Sequence, residues 1–393
     1  MKHKTLALLT AAASLAGASQ VRAQNGVTIY GTADAAIIYS SSQRGHANTY
    51  MNSGNLNASK LGFSGSEDLG GGSKAIFTLE QGFNIDSGAQ SDPSKAFNRQ
   101  SFIGLSNGSY GTFTLGRQYT PYWRYVGGLG PTGVLTGATG AHPGDLDGLD
   151  TTIRINNSLV YATPVIAGFQ ASALYGFGEN AGAMGSGNTV SAALLYNINA
   201  FSVALGYQKL TNNNLKGFAP WDPNLTSGSY AQSPVNAGYA SARSVQMIAA
   251  AARYQASGKL MLGLNFSNVQ MAPGADSLFT HQASFNTAGL ISSYKVTPAI
   301  TVAAGYSYTR ETAANGISNP ARYQQLSLEQ TYDFSKRTAL YFLETYQKAY
   351  GQTLGKDGVT AVDAVAVVGD SQNGTPSSNG KQFVAAVGIR HQF

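Results

Sequence analysis

The stretch VTIYGTADAAIIY, residues 27–39, decides the fold. Val27, Ile29, Ala33, Ala35, Ile37 and Tyr39 share one side of an extended chain, and Thr28, Tyr30, Thr32, Asp34 and Ala36 share the other. A strand of this kind has one apolar and one wettable face. SKAIFTLEQGFN (73–84) repeats it, with Ala75, Phe77, Leu79 and Phe83 opposite Lys74, Thr78, Glu80 and Asn84. FVAAVGIRHQF (383–393) repeats it again, setting Phe383, Ala385, Val387, Ile389 and Phe393 against Gln382, Arg390 and Gln392. Past the N-terminal region no stretch shows a convincing period of 3.6.

Connections supply the second regularity. Short ones at 67–72, 107–110, 163–168, 197–200, 256–259, 297–299 and 333–337 alternate strictly with long ones around 41–55, 85–97, 121–152, 179–188, 212–241, 271–282, 312–320 and 351–380. Seven turns and eight loops imply sixteen antiparallel strands, with every short turn at one end and every long loop at the other. An open sheet this wide has two raw edges, and closure removes them. A barrel of sixteen strands is too wide for side chains to fill, so its wettable face lines water and its apolar face meets lipid. Segments of about ten residues also suit a membrane-spanning β-strand. The expected fold is all-β: a 16-stranded antiparallel transmembrane barrel with short periplasmic turns and long external loops. Its 22 Tyr and 17 Phe, many near strand ends, suit aromatic girdles.

Composition agrees. MKHK, LALLTAAASLAGA and Val21-Arg22-Ala23 read as the n-region, h-region and cleavage site of a signal peptide spanning 1–23, leaving 24–393 as the barrel. There is no cysteine, and charged residues are 11% of the chain, against roughly 25% in a typical soluble protein. Lys2, Lys4 and Arg22 leave with the signal, so the 25 basic residues become 22 against 19 acidic ones. That balance is too even for a nucleic-acid binder.

An enzymatic barrel would need a histidine paired with Asp or Ser. His46, His281 and His391 are scattered, and only His142 lies near acids, Asp145 and Asp147. No phosphate loop or metal-ligand spacing is present, so the chain reads as no enzyme and as needing no cofactor or metal.

Inward charges then become the candidates. Leu61 and Phe63 alternate outward, which turns Lys60 inward. Ile155, Leu159 and Tyr161 alternate outward in the sixth strand, which turns Arg154 inward. Asp34 and Glu80 also point inward. Arg99 opens the fourth strand with its face uncertain by one residue. Arg117 shares parity with Phe113 and Leu115, so only a bulge would bring it inside.

GSEDLGGGSKAIFTLEQGFN (65–84), FNRQSFIGLSNGSYGTFTLGRQYTP (97–121), YDFSKRTALYFLETYQ (332–347) and VGIRHQF (387–393) resemble the general trimeric porins of Gram-negative, particularly beta-proteobacterial, outer membranes. The resemblance covers essentially the whole mature chain. It implies a homotrimer of barrels in the cell outer membrane, in contact with lipid and lipopolysaccharide, and passing ions and small hydrophilic solutes. It implies that the third loop, 121–152, folds into the pore, with Asp145, Asp147 and Asp150 as an acidic side facing a basic wall of Lys60, Arg99, Arg154 and Arg117. It also implies that the terminal aromatic, Phe393, is read by the barrel assembly machinery. Similar porins often carry N-S-[apolar]-R-Y in the sixth strand; here NSLVY puts Val160 at the basic position, which shortens the basic ladder by one charge and argues against a strong anion preference, leaving a mild one. Tyr119, Tyr122, Trp123 and Tyr125 keep a substrate-specific channel for sugars or organic acids as an alternative, and the long loops 212–241 and 351–380 keep an adhesin as a weaker one. VTAVDAVAVVG (359–369) suggests an extra hairpin above the membrane.

Overall fold

A computed structural model describes residues 26–212, 235–370 and 376–393. The expected signal peptide lies outside the described residues, as do parts of the loops at 212–241 and 351–380.

Among the described residues, sixteen strands close into one barrel: β1 (Gly26–Gln43), β2 (His46–Ser53 continued by Lys60–Gly70), β3 (Ser73–Gly82), β4 (Gln100–Asn107), β5 (Gly111–Tyr119), β6 (Arg154–Ala162), β7 (Phe169–Gly176), β8 (Thr189–Ile198), β9 (Phe201–Thr211), β10 (Ser244–Gln255), β11 (Leu260–Ala272), β12 (Ala283–Lys295), β13 (Ile300–Glu311), β14 (Arg322–Asp333), β15 (Thr338–Tyr350) and β16 (Lys381–Gln392). Each strand pairs antiparallel with its neighbours in chain order. β1 and β16 form the seam, in register from Thr32 opposite Gln392 to Ser40 opposite Val384. At its foot Gly31 and Phe393 exchange two backbone hydrogen bonds of 3.0 and 3.1 Å. A Cβ on Gly31 would lie 2.3 Å from the Phe393 ring, so glycine is what lets the ring lie there.

The outward face is apolar, as the alternation predicts: Val27, Ile29, Ile103, Leu105, Leu205, Leu264, Leu290, Leu326, Val387 and Ile389 are all exposed. Aromatic pairs mark the short-turn end. Phe169 stacks on its cross-strand partner Tyr196 at 4.0 Å, and Phe201 on Tyr254 at 4.4 Å. Such pairs add to strand association and form one girdle of the apolar band.

Three expectations need correction. The first long connection is a tight hairpin, because Arg44 and Gly45 both take positive φ (50° and 96°) and turn the chain in two residues. The irregular segment lies instead at 54–59, an inward excursion between the two parts of β2. In the sixth strand, Asn157 takes a φ of 48° and breaks the alternation, so Ile155 turns inward and is fully buried. In the last long loop, among the described residues, only Ala361–Asp363 forms a hairpin, with Gln352–Leu354; residues 364–370 fold back into the barrel mouth, where Ala366, Val367 and Val368 are buried.

Candidate pore constriction

The third loop leaves β5 through helix α1 (Pro121–Val126), whose N-cap Thr120 accepts the Trp123 amide and whose first position is proline. Helix α1 lies against the inner faces of β8, β9 and β10. Small inward residues make room for it. A Cβ on Gly206 would sit 2.9 Å from both Tyr122 and Val126. Ala204, Ala249 and Ala251 line the same buried cluster, with Leu146, Leu149, Ile153, Ile155 and Val160. An apolar core between loop and wall therefore fills the lumen beside β8, β9 and β10. Val160 belongs to that core.

Polar contacts fix the loop across the lumen. Ser191 Oγ accepts the Tyr122 amide at 3.2 Å, Gln325 Nε2 donates to Ala141 O at 3.0 Å, and Arg253 Nη2 donates to Gly128 O at 2.9 Å. The Ala138 amide reaches Asn55 O in the excursion at 3.0 Å. The folded-back 364–370 segment clasps the same region. Gly144 N donates to Val367 O and Asp370 N to Ala138 O, while Gln347 on β15 both donates to and accepts from the Val367 backbone.

What stays open is a cavity of about 890 Å³ between this loop and the wall formed by β1–β6. Lys60, Glu80, Arg99, Arg117 and Arg154 line it from the wall side, and Arg124 and Asp150 from the third loop. Asp92 and Lys95 line it from the second long loop, and Asp370 from the last. Six cations thus face four carboxylates.

The wall charges form a network. Glu80 receives Arg99 Nε at 2.9 Å, Lys60 Nζ at 3.5 Å and the Tyr30 hydroxyl at 3.0 Å. Arg117 is inside because the ladder between β5 and β6 shifts register between Gly116 and Gln118, with Gly116 at a φ of 133°. Its guanidinium donates to Asn98 O and to Asn156 Oδ1. Arg99 and Arg154 lie over the ring of Tyr119, 5.8 and 5.2 Å from its centroid. Tyr119 itself packs on Trp123 at 4.2 Å. Tyr122 and Tyr125 are turned into the buried core.

Asp34 is inward but fully buried, engaged by the amides of Asn55, Leu56 and Asn57 and by the Tyr341 hydroxyl. It holds the excursion, not the aqueous path. The third loop also departs from the expected acidic side. Only Asp150 lines the cavity. Asp147 is buried on the far side, where His142 Nδ1 lies 2.5 Å away and Ser267 on β11 donates at 2.6 Å. Asp145 accepts from the Asp150 amide and the Thr152 hydroxyl. Positive φ at Gly144, Asp145 and Gly148 coils this segment, which turns two of the three acids away from water. Burial pushes the Asp145 carboxyl well above its usual range, and the charges of Asp150 and Asp147 push it further. Ser267 hydrogen-bonds the carboxylate and not the imidazole, so this buried trio is a clasp on the loop and lacks the serine–histidine contact of a nucleophile.

Residues 5–349 match the family model for the Gram-negative porin. The chain belongs to that family. It is 30% identical to an outer membrane porin protein of Bordetella pertussis, over 99% of this chain and all of that one. Among solved structures it is similar to the anion-selective porin of Comamonas acidovorans, at a TM-score of 0.71 and 24% identity, covering 94% of this chain and all of the other. It is also similar to the trimer form of OmpT, an outer membrane protein of Vibrio cholerae, at a TM-score of 0.65 and 16% identity, with 94% and 99% covered. The protein is an outer-membrane porin, a diffusion channel and not an enzyme.

Parity recovers Lys60 and Glu80 as cavity-lining residues; Arg154 lines the cavity too, although the outward Ile155 on which its parity relies is turned inward, and parity does not recover Arg124, Asp92, Lys95 and Asp370, which sit on loops without period. One signal for the strands that the loop covers was in the sequence. β10 reads SVQMIAAAARYQ, small and apolar on both faces, which a strand facing water would not be.

Proposed function

We propose that this porin is a general diffusion channel for ions and small hydrophilic solutes with a mild preference for anions. Lys60, Arg99, Arg117 and Arg154 act as the basic wall of its constriction, joined by Arg124 from the third loop. The observation that carries the reading is the charge of the open cavity: six cations against four carboxylates, with Asp145 and Asp147 facing away. Ion pairing of Glu80 with Lys60 and Arg99, and of Asp92 with Lys95, leaves that positive excess unchanged. Ion selectivity in such a pore follows from the charges lining its narrow part. Reversal potentials in planar bilayers test it: Lys60→Glu with Arg154→Glu is expected to reverse the sign of selectivity, and an unchanged potential would sink the assignment.

The same reading extends to assembly. The working form is a homotrimer, each subunit with its own pore, exported after cleavage of residues 1–23. Phe393 serves the assembly machinery, and lipid and lipopolysaccharide surround the trimer. Crosslinking in whole cells followed by sizing tests the trimer.

One observation favours a second reading, a site selective for flat carboxylates. Tyr119, beneath the guanidiniums of Arg99 and Arg154, packs at a tilt on Trp123 and gives the cavity an aromatic side. Conductance block by an aromatic carboxylate but not by a sugar of equal size would favour it over a general channel.

A further inference from the structure

The lipid-facing side of the barrel carries one arrangement that the pore does not use. Arg310 on β13 and Arg322 on β14 are direct cross-strand partners. Lys348 on β15 and Lys381 on β16 are direct partners as well. All four share outward parity with exposed apolar residues of their own strands: Tyr306, Leu326, Tyr346 and Val387. The register puts Lys348 diagonally beside Arg322, through Tyr350, within about 7–8 Å. Four cations on four consecutive strands therefore form one patch.

Like charges directly opposite each other destabilise a sheet unless something neutralises them. Among the described residues none of the four forms an ion pair with a carboxylate. The Arg322 Nε is buried and has no hydrogen-bond partner. Lys348 lies over the Tyr350 ring, 4.5 Å from its centroid, which orients the ammonium without neutralising it. The outward carboxylate of these strands, Glu344, sits four residues below Lys348, roughly 13 Å along the chain at ~3.3 Å per residue.

Height identifies the missing partner. The patch lies eight residues above Val302, Leu340 and Ile389, and ten above Tyr332, the lower apolar residues of the same faces. At ~3.3 Å per residue and a tilt of ~40°, that is roughly 20–26 Å above them, the upper edge of an apolar band ~25 Å tall. Cations at that level, on the long-loop side, stand where lipid headgroups of the outer leaflet begin. We propose that this patch binds the phosphates of an outer-leaflet lipid, with Arg310 and Arg322 forming one phosphate seat and Lys348 and Lys381 the other. Arginine supplies forked donors to phosphate oxygens and lysine supplies mobile point charges. The acyl chains would then lie against the apolar wall below.

The test uses folded, lipid-stripped protein in detergent, titrated with lipopolysaccharide, with lipopolysaccharide enzymatically freed of phosphate, and with inorganic phosphate, binding being read by native mass spectrometry. The expected result is at least tenfold tighter binding of the phosphorylated lipid than of the dephosphorylated one. Lys348→Gln with Lys381→Gln should lose at least tenfold, Lys348→Gln alone about threefold, and binding should weaken as salt rises. Unaltered single-channel conductance and heat-modifiable mobility report that the variants are folded. Equal binding by the wild type and the double variant would overturn the proposal. So would displacement of the lipid by millimolar inorganic phosphate, which would make this a free-anion site. Loss of the trimer with lipid binding unchanged would assign the patch to a subunit contact instead.

Discussion

Replacing Glu80 by glutamine separates two effects that the constriction combines. The substitution keeps the shape of the side chain and an acceptor for Tyr30, but removes the charge that Arg99 and Lys60 share. The formal balance of the cavity rises by one positive charge. A monovalent ion passing about 6 Å from that charge in water feels roughly 0.7 kcal/mol, and screening at 0.1 M salt leaves about 0.4 kcal/mol. Anion entry should rise about twofold and cation entry fall about twofold, moving the permeability ratio about fourfold toward anions. Stability should move the other way. Arg99 is 7% exposed and would lose its carboxylate while Arg117 and Arg154 remain nearby, a loss of about 2–3 kcal/mol for a buried charge left unpaired. Reversal potentials under a salt gradient read the first effect, and urea unfolding followed by tryptophan fluorescence reads the second. A permeability ratio that stays put or shifts toward cations would refute the assignment of Glu80 as the neutralising group of the wall.

Three further outcomes follow from the loop and the seam. Burial opposes the charged imidazole of His142 but the Asp147 carboxylate outweighs it, so His142 titrates above its usual value and Asp147 below its own. The clasp is complete between those two values and weakens as pH falls through the lower or rises through the upper; current noise should grow at both extremes, His142→Gln should abolish the alkaline limb, and a flat profile in the wild type would refute the clasp. Gly206→Val should press on Tyr122 and Val126, cost about 1–3 kcal/mol by overpacking, and lower single-channel conductance by displacing helix α1 toward the lumen. Deleting Phe393 removes the paired backbone bonds to Gly31, and should reduce the yield of assembled protein while leaving conductance per channel unchanged, both measurable on outer-membrane fractions.

Much of the barrel was legible because a closed membrane wall imposes two rules at once, a period of two along each strand and an alternation of turn lengths between strands. Those rules place Lys60, Asp34 and Glu80 correctly inside. They fail where single residues reset the phase: Gly116 brings Arg117 inward and Asn157 brings Ile155 inward. They say nothing about the third loop, whose conformation depends on a buried core that it builds with the wall. The resemblance puts Asp145 and Asp147 with Asp150 on the pore side of that loop, and no periodicity could correct it, because a coil with glycines at 144 and 148 has no face to predict. The fold-back at 364–370 was hidden for a related reason. Its apolar residues suit a hairpin as well as a buried strap, and the deciding partners, Gln347 and Gln382, lie on other strands.

The excursion at 54–59 has a consequence for how such pores diversify. β1 keeps its register on both flanks, with Ala35 opposite Ser53 and Thr32 opposite Lys60, so β2 spends six residues where β1 spends two. The surplus lines the cavity, its amides at 55–57 gathered on one carboxylate, Asp34. Lengthening or shortening it alters the aperture without moving any other pair in the wall. Calibre and closure are therefore separately heritable here: one short segment can be redrafted to admit a different solute while the fifteen other strands keep their alignment.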